Sequence, residues 1–197
     1  GAKLDIAATD ELSFMIAALN PTDEKTLNGM GNNLYFGAQV GYELDNGGVW
    51  VNYLGGNGGA DGSDTTGYHQ IDLTTGFNWT DELYLGLNAT LARQSINPNG
   101  DDKAQQNSGF FGVAGYAQYA VNDMLSLGGR VEYFSDKNGF TGAVPQYTTD
   151  MDDIAQMNTT GSVLDLTLSA NVKFGDLTLI PEIRADFDLA SMITAGE

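Results

Sequence analysis

Between Ile71 and Ala92 apolar and polar residues take turns along the chain. Ile71, Leu73, Phe77 and Trp79 hold one parity, and Asp72, Thr74, Gly76 and Asn78 hold the other. The corner Thr80-Asp81-Glu82 interrupts the alternation. It resumes with Leu83, Leu85, Leu87, Ala89 and Leu91 against Tyr84, Gly86, Asn88, Thr90 and Ala92. A period of two puts successive side chains on opposite faces of an extended strand, so this stretch predicts a hairpin. The same alternation recurs along the whole sequence and predicts about ten strands of roughly 8 to 14 residues, long enough to cross a bilayer at a tilt. Their spans are 2–8, 12–20, 33–44, 48–55, 68–79, 83–94, 109–121, 124–135, 162–174 and 177–188.

Two kinds of connection alternate between these strands. Thr9-Asp10-Glu11, Asp45-Asn46-Gly47, Thr80-Asp81-Glu82, Val121-Asn122-Asp123 and Gly175-Asp176 are short corners, whose Asn, Asp and Gly supply the dihedrals of tight hairpins. Residues 21–32, 56–67, 95–107 and 136–161 are long connections rich in Gly, Asn, Asp and Thr. The sheet is thus trimmed at one end and carries loops at the other, as outer-membrane barrels do. A short helical turn at 150–157 is the only helix the sequence suggests.

Alternation fits a soluble barrel with its oily face inward, or a membrane barrel with its oily face on lipid. The residues of the polar parity favour the second. They include Lys3, Asp5, Gln39, Glu43, Asn52, Gln70, Asp72, Asn78, Asn88, Gln118, Arg130, Glu132, Asp165, Asn171, Lys173, Glu182, Arg184 and Asp186. Many are small or neutral, whereas a solvated sheet face carries more long charged side chains. The oily parity, with Leu164, Leu166, Leu168, Ala170 and Val172 on one strand, is nearly free of charge. Aromatic residues cluster towards the strand ends. Phe77, Trp79, Tyr84 and Phe174 lie near short corners, and Phe36, Tyr53, Tyr68, Phe111, Tyr133 and Phe187 lie near long connections. Two such girdles match the two interfaces of a bilayer.

Composition narrows the functional classes. The 197 residues suit one domain. Acidic residues number 26 against 8 Lys and Arg, a formal net charge of −18, which argues against nucleic-acid binding. The chain has no cysteine, so it has neither disulfides nor a cysteine metal site. No apolar run is long enough for a transmembrane helix.

Residues 109–140 carry a more specific signal. Phe111-Gly112 is followed by Tyr116-Ala117-Gln118-Tyr119, the corner Asn122-Asp123, then Arg130-Val131-Glu132-Tyr133-Phe134 and Asp136-Lys137-Asn138-Gly139. This pattern resembles the OmpL-like β-barrel porin family, found mainly in the Bacteroidetes outer membrane. "VWVNYLGGN" and "LIPEIRADFD" are similar to two further segments of that family. The resemblance implies an all-β, antiparallel up-and-down transmembrane β-barrel in a Gram-negative outer membrane, acting as a diffusion pore. The first predicted strand enters a short corner and the last one leaves a short corner. Barrels keep their termini on the short-turn side, so a further strand is expected at each end, giving about twelve or more. The chain is accordingly expected to be a single barrel domain, residues 1–197, lacking its terminal strands.

The polar-parity residues named above are the candidate pore lining. Lys3, Arg130, Lys173 and Arg184 face a larger set of acids, Asp5, Glu43, Asp72, Glu132, Asp165, Glu182 and Asp186, which predicts a mild cation preference. Arg130 with Glu132, and Arg184 with Glu182 and Asp186, are spaced i,i+2 on one face and could instead serve only to pair with one another. Asp150, Asp152 and Asp153, or Asp101 with Asp102, could offer oxygens to Ca²⁺, but neither set has an EF-hand spacing, and a solvated acidic loop is the plainer reading. His69 is the sole histidine, and no nucleophile elbow occurs, so neither an enzyme nor a cofactor is expected. Pro181 lies on the lipid parity and cannot donate to a ladder, which predicts a bulge or an edge position.

The sequence thus predicts passive diffusion of small hydrophilic solutes or ions, with outer-membrane lipid as partner and no nucleic acid. A non-conducting scaffold in an envelope complex stays open, as do a homo-oligomer and an adhesion or receptor barrel acting through connections 56–67 and 136–161.

Overall fold

The computed structural model describes residues 1–20, 34–56, 65–96, 106–141, 143 and 160–189. The 150–157 turn, the Ca²⁺ candidates Asp150, Asp152, Asp153, Asp101 and Asp102, and most of the long connections lie outside the described residues. Among the described residues eleven strands form one antiparallel sheet. They are β1 (Ala2–Ala7), β2 (Leu12–Leu19), β3 (Tyr35–Leu44), β4 (Gly47–Gly56), β5 (Thr65–Asn78), β6 (Leu83–Ile96), β7 (Gln106–Asn122), β8 (Leu125–Lys137), β9 (Thr160–Phe174), β10 (Leu177–Leu179) and β11 (Glu182–Asp188). Each strand from β1 to β9 pairs with its sequence neighbours, and both β10 and β11 pair with β9. The topology is the up-and-down meander that the alternating connections predict.

β10 and β11 are two halves of the single strand expected at 177–188. Leu179 pairs with Val172 and Glu182 with Ser169, so the register runs unbroken past Ile180 and Pro181. Pro181 interrupts the ladder without a bulge. It sits on an edge strand, where a missing N–H is tolerated, while its carbonyl accepts from the Ala170 amide at 3.1 Å. The sheet is not closed: β1 and β10–β11 are its two edges.

The short corners hold their shape by side-chain capping more than by special dihedrals. The tetrapeptide Thr-Asp-Glu-Leu occurs at 9–12 and again at 80–83. In the first, the Thr9 hydroxyl accepts from the amides of Glu11 and Leu12 at 3.1 and 2.9 Å. In the second, Thr80 accepts from Glu82 and Leu83 at 3.2 and 3.0 Å. Asn122 caps the β7–β8 corner alike, through the amides of Met124 and Leu125. Only at Gly175, with φ of 59°, does a corner use the left-handed region.

The two faces differ in burial. Leu4, Ile16, Val40, Val51, Ile71, Leu87, Leu127, Val131, Leu166, Leu168 and Ile183 are exposed, and all share one parity. The leucines therefore do not meet in a central core. The opposite, polar parity holds the buried side chains, Asp136, Asp165 and Thr167 among them. The sheet curls about this polar face. Its strands from β5 to β9, together with β11, contribute to a single concavity of about 500 Å³. A compact soluble protein would not leave so many large apolar side chains uncovered, because contiguous apolar surface drives association in water. Hydrocarbon is the solvent that face suits.

Candidate functional site

The concave face is built from the polar parity, and strand register decides which residues meet. Gln39, Asn52, Asp72 and Thr90 lie side by side on β3, β4, β5 and β6. Gln39 Nε2 donates to Asn52 Oδ1 at 2.6 Å, and Asn52 Nδ2 donates to Asp72 Oδ1 at 2.9 Å. Asp72 also accepts from Asn88 Nδ2 at 3.0 Å, Thr90 Oγ1 at 2.6 Å and Thr74 Oγ1 at 3.1 Å. The carboxylate is thus held on the polar face by neutral donors alone.

A second cluster crosses β8, β9 and β11. Glu132, Asp165 and Asp186 form one cross-strand row, and Arg130, Thr167 and Arg184 form the next. Arg130 donates to Glu132 and approaches Asp165 at 3.9 Å. Arg184 Nε contacts Asp165 Oδ2 and donates to Asp186 Oδ1 at 2.8 Å. Asp165, only 1% exposed, is spanned by both guanidinium groups and takes a further bond from Thr167 at 2.9 Å. Arg130 also lies over the Tyr116 ring, 5.7 Å from its centroid. Acid and base rows thus adjoin along one wall.

The other candidate residues occupy the same face outside these clusters. Lys3 and Asp5 pair at 3.0 Å on the exposed edge strand β1. Gln70 accepts from the Tyr68 hydroxyl. Gln118, Asn171 and Glu182 line the 500 Å³ concavity along with Asn88, Arg130 and Thr167. Asn78 borders a smaller hollow of about 320 Å³ near the short corners, beside Asp81, Glu82 and Gln118. Glu43 and Lys173 are exposed near the short-corner end. Among the described residues, Glu43, Asp72, Lys173 and Glu182 make no ion pair.

Two aromatic residues of the expected girdles face inward instead. Tyr84 leans over Gly76, where an added Cβ would fall 1.9 Å from the Tyr84 hydroxyl. Tyr68 is buried in a chain of rings at the long-connection end. It stacks on Tyr35 at 5.4 Å and on Phe140 at 6.1 Å; Phe140 meets Phe110 at 5.9 Å, and Phe110 meets Phe134 at 5.6 Å. The parity of Tyr68 and Tyr84 was the missed signal, since each shares it with the polar residues of its own strand. Phe36, Tyr53, Phe111, Phe174, Trp79 and Phe187 remain exposed on the outer face.

Phe140 reaches the mouth because its segment folds back. Asn138 and Gly139 take φ of 59° and 61° to make the turn. Asp136, fully buried on the inner face, accepts from the Thr141 amide at 3.0 Å and from its hydroxyl at 2.6 Å. Gly56 makes room for the stack across β4, since an added Cβ there would sit 2.5 Å from the Tyr35 ring. This mouth cluster was invisible to strand periodicity because Phe140 lies beyond the end of its strand.

Comparison with known families places the chain. The model of the family described as "Putative beta-barrel porin-2, OmpL-like" covers residues 1–195. The chain belongs to this family. Its family and all-β meander place the porin-family chain in the outer membrane as a β-barrel protein with strands that cross the lipid. No curated protein and no solved structure matched the sequence.

Proposed function

We propose that this porin-family barrel conducts small hydrophilic solutes and ions through its concave polar face, with a preference for cations. The observation that carries the reading is Asp72. Its five-membered network contains no cation, so the carboxylate charge is not neutralised locally. Glu182, on the wall of the concavity, adds a second carboxylate without an ion pair. The guanidinium groups of Arg130 and Arg184 are, by contrast, engaged by Glu132, Asp165 and Asp186. Fixed negative charge in a narrow aqueous path raises the local cation concentration and repels anions.

Selection by size follows from the mouth, where Tyr35, Tyr68, Phe110 and Phe140 narrow one side of the path. The experiment is single-channel recording in a planar bilayer under a salt gradient. Discrete open steps with a cation-selective reversal potential support the reading; persistent zero current, or anion selectivity, contradicts it.

A further inference from the structure

The outward face has an unusual charge distribution. The chain carries 26 acidic residues and only 8 Lys and Arg, yet no Asp or Glu occupies the outward parity of any described strand. Two cations do, Arg93 on β6 and Lys137 on β8, and both are exposed. They lie in the same cross-strand row. Arg93 pairs with Gly109 of β7, and Gly109 pairs with Lys137. The two cations are thus two strand spacings apart, about 10 Å between backbones, within converging reach of their long side chains.

The position between them is kept clear. Gly109 has φ of 157°, and a Cβ built there would come 2.1 Å from the Ala92 carbonyl oxygen, so no side chain fits in the gap. Among the described residues neither Arg93 nor Lys137 makes an ion pair. Continuing along the row, His69 pairs with Arg93 in register and is fixed by the Tyr53 hydroxyl at 2.8 Å from Nδ1. Next to Lys137, Tyr133, Ser162 and Ser135 form a hydroxyl chain with spacings of 3.2 and 3.0 Å. The exposed rings of Phe36, Tyr53 and Phe111 flank the row. Aromatic and hydroxyl groups of this kind mark the headgroup level of a bilayer, here at the long-connection end.

We infer that Arg93 and Lys137 form a clamp for the phosphate of an anionic lipid headgroup in the outer leaflet. The inference rests on the barrel lying in the membrane, not on its conducting. Snorkelling alone explains a long cation at an interface. It does not explain why the outward cations share one row, flank a gap closed to side chains, and have no acid on the outward face of the described strands. A phosphate bridging two cations supplies a counter-charge and accepts several charge-assisted hydrogen bonds.

The test is native mass spectrometry of the full chain, released from micelles holding a diphosphorylated disaccharide lipid and its dephosphorylated counterpart in equal amounts. The wild type is expected to retain the phosphorylated form in excess. Arg93→Gln and Lys137→Gln should each cut that excess about fivefold, as loss of one headgroup contact implies. Lys173→Gln, with the same change in net charge but at the opposite end of the sheet, should leave it unchanged. Heat-modifiable gel migration verifies that each variant is folded. Equal retention of the two lipids by the wild type overturns the inference. So does a Lys173→Gln loss as large as that of the clamp variants, because net charge alone would then account for the binding.

Discussion

Arg184 and Asp165 join the edge strand β11 to β9 through an ion pair in which one partner is half exposed and the other is buried. Asp165 is 1% exposed, whereas the Arg184 side chain is 51% exposed. The asymmetry sets the cost of breaking the pair. Asp165→Ala leaves the part-exposed Arg130 on Glu132 and Arg184 on Asp186 and is expected to destabilise the folded barrel by only about 1 kcal/mol. Arg184→Ala strips the buried Asp165 Oδ2 of its ion pair, leaving Arg130 at 3.9 Å and Thr167 on Oδ1, and should cost more. Urea unfolding from lipid vesicles measures both.

The outward face gives a sharper contrast. Val131 is 48% exposed on the apolar parity, and its neighbour Glu132 lies on the polar one. Val131→Arg is expected to cost about 2–4 kcal/mol, as a cation placed towards the bilayer midplane does. Thr74, exposed on the polar face, should accept arginine for well under about half of that. Folding yield into vesicles, compared between Val131→Arg and Thr74→Arg, reads the difference. Equal costs would mean that the two faces meet the same solvent.

Asp72 tests the field in the path. Asp72→Asn keeps the size and an acceptor oxygen while removing the charge. The donors Asn52, Asn88, Thr74 and Thr90 are neutral, so the fold should survive. The reversal potential under a salt gradient is expected to move towards zero, and further when Glu182→Gln is added. An unchanged potential would put the selectivity elsewhere.

The mouth offers a test of width. Phe140 is held over Phe110 and Tyr68 by the clasp of Asp136 on Thr141. Phe140→Ala removes the ring that spans the cluster, and conductance and the largest permeant sugar in a liposome-swelling assay should both rise. Gly56→Val would push into the Tyr35 ring and should lower stability, since no comparable space is open there.

Much of this architecture was legible in the sequence because a strand period of two is strict. One residue of slip moves every side chain to the other face, so the alternation fixed both the strands and their orientation. The predicted spans and the observed ones differ by a few residues at the ends, as at 109–121 against Gln106–Asn122. The interruption at Pro181 followed from its missing N–H. Contacts that depend on register across several strands could not be read. Asp72 collects donors from β4, β5 and β6, and Asp165 is set between arginines of β8 and β11; neither follows from spacing within one strand. The girdle assignment failed at Tyr68 and Tyr84 because it used distance from the corners and ignored parity. The capping role of Thr9 and Thr80 was signalled by the repeated Thr-Asp-Glu-Leu, whose threonine places a hydroxyl within reach of the next amides.

The native chain has no cysteine, so single cysteines can be placed at will. The most direct measurement introduces them one at a time along β8, from Leu127→Cys to Glu132→Cys, and records current during exposure to a charged, membrane-impermeant thiol reagent. Modification should reduce the current at 128, 130 and 132 and leave it unaffected at 127, 129 and 131. A current insensitive at every position, or reduced at the odd positions and not the even ones, would contradict the assignment of water to the polar face and lipid to the apolar one.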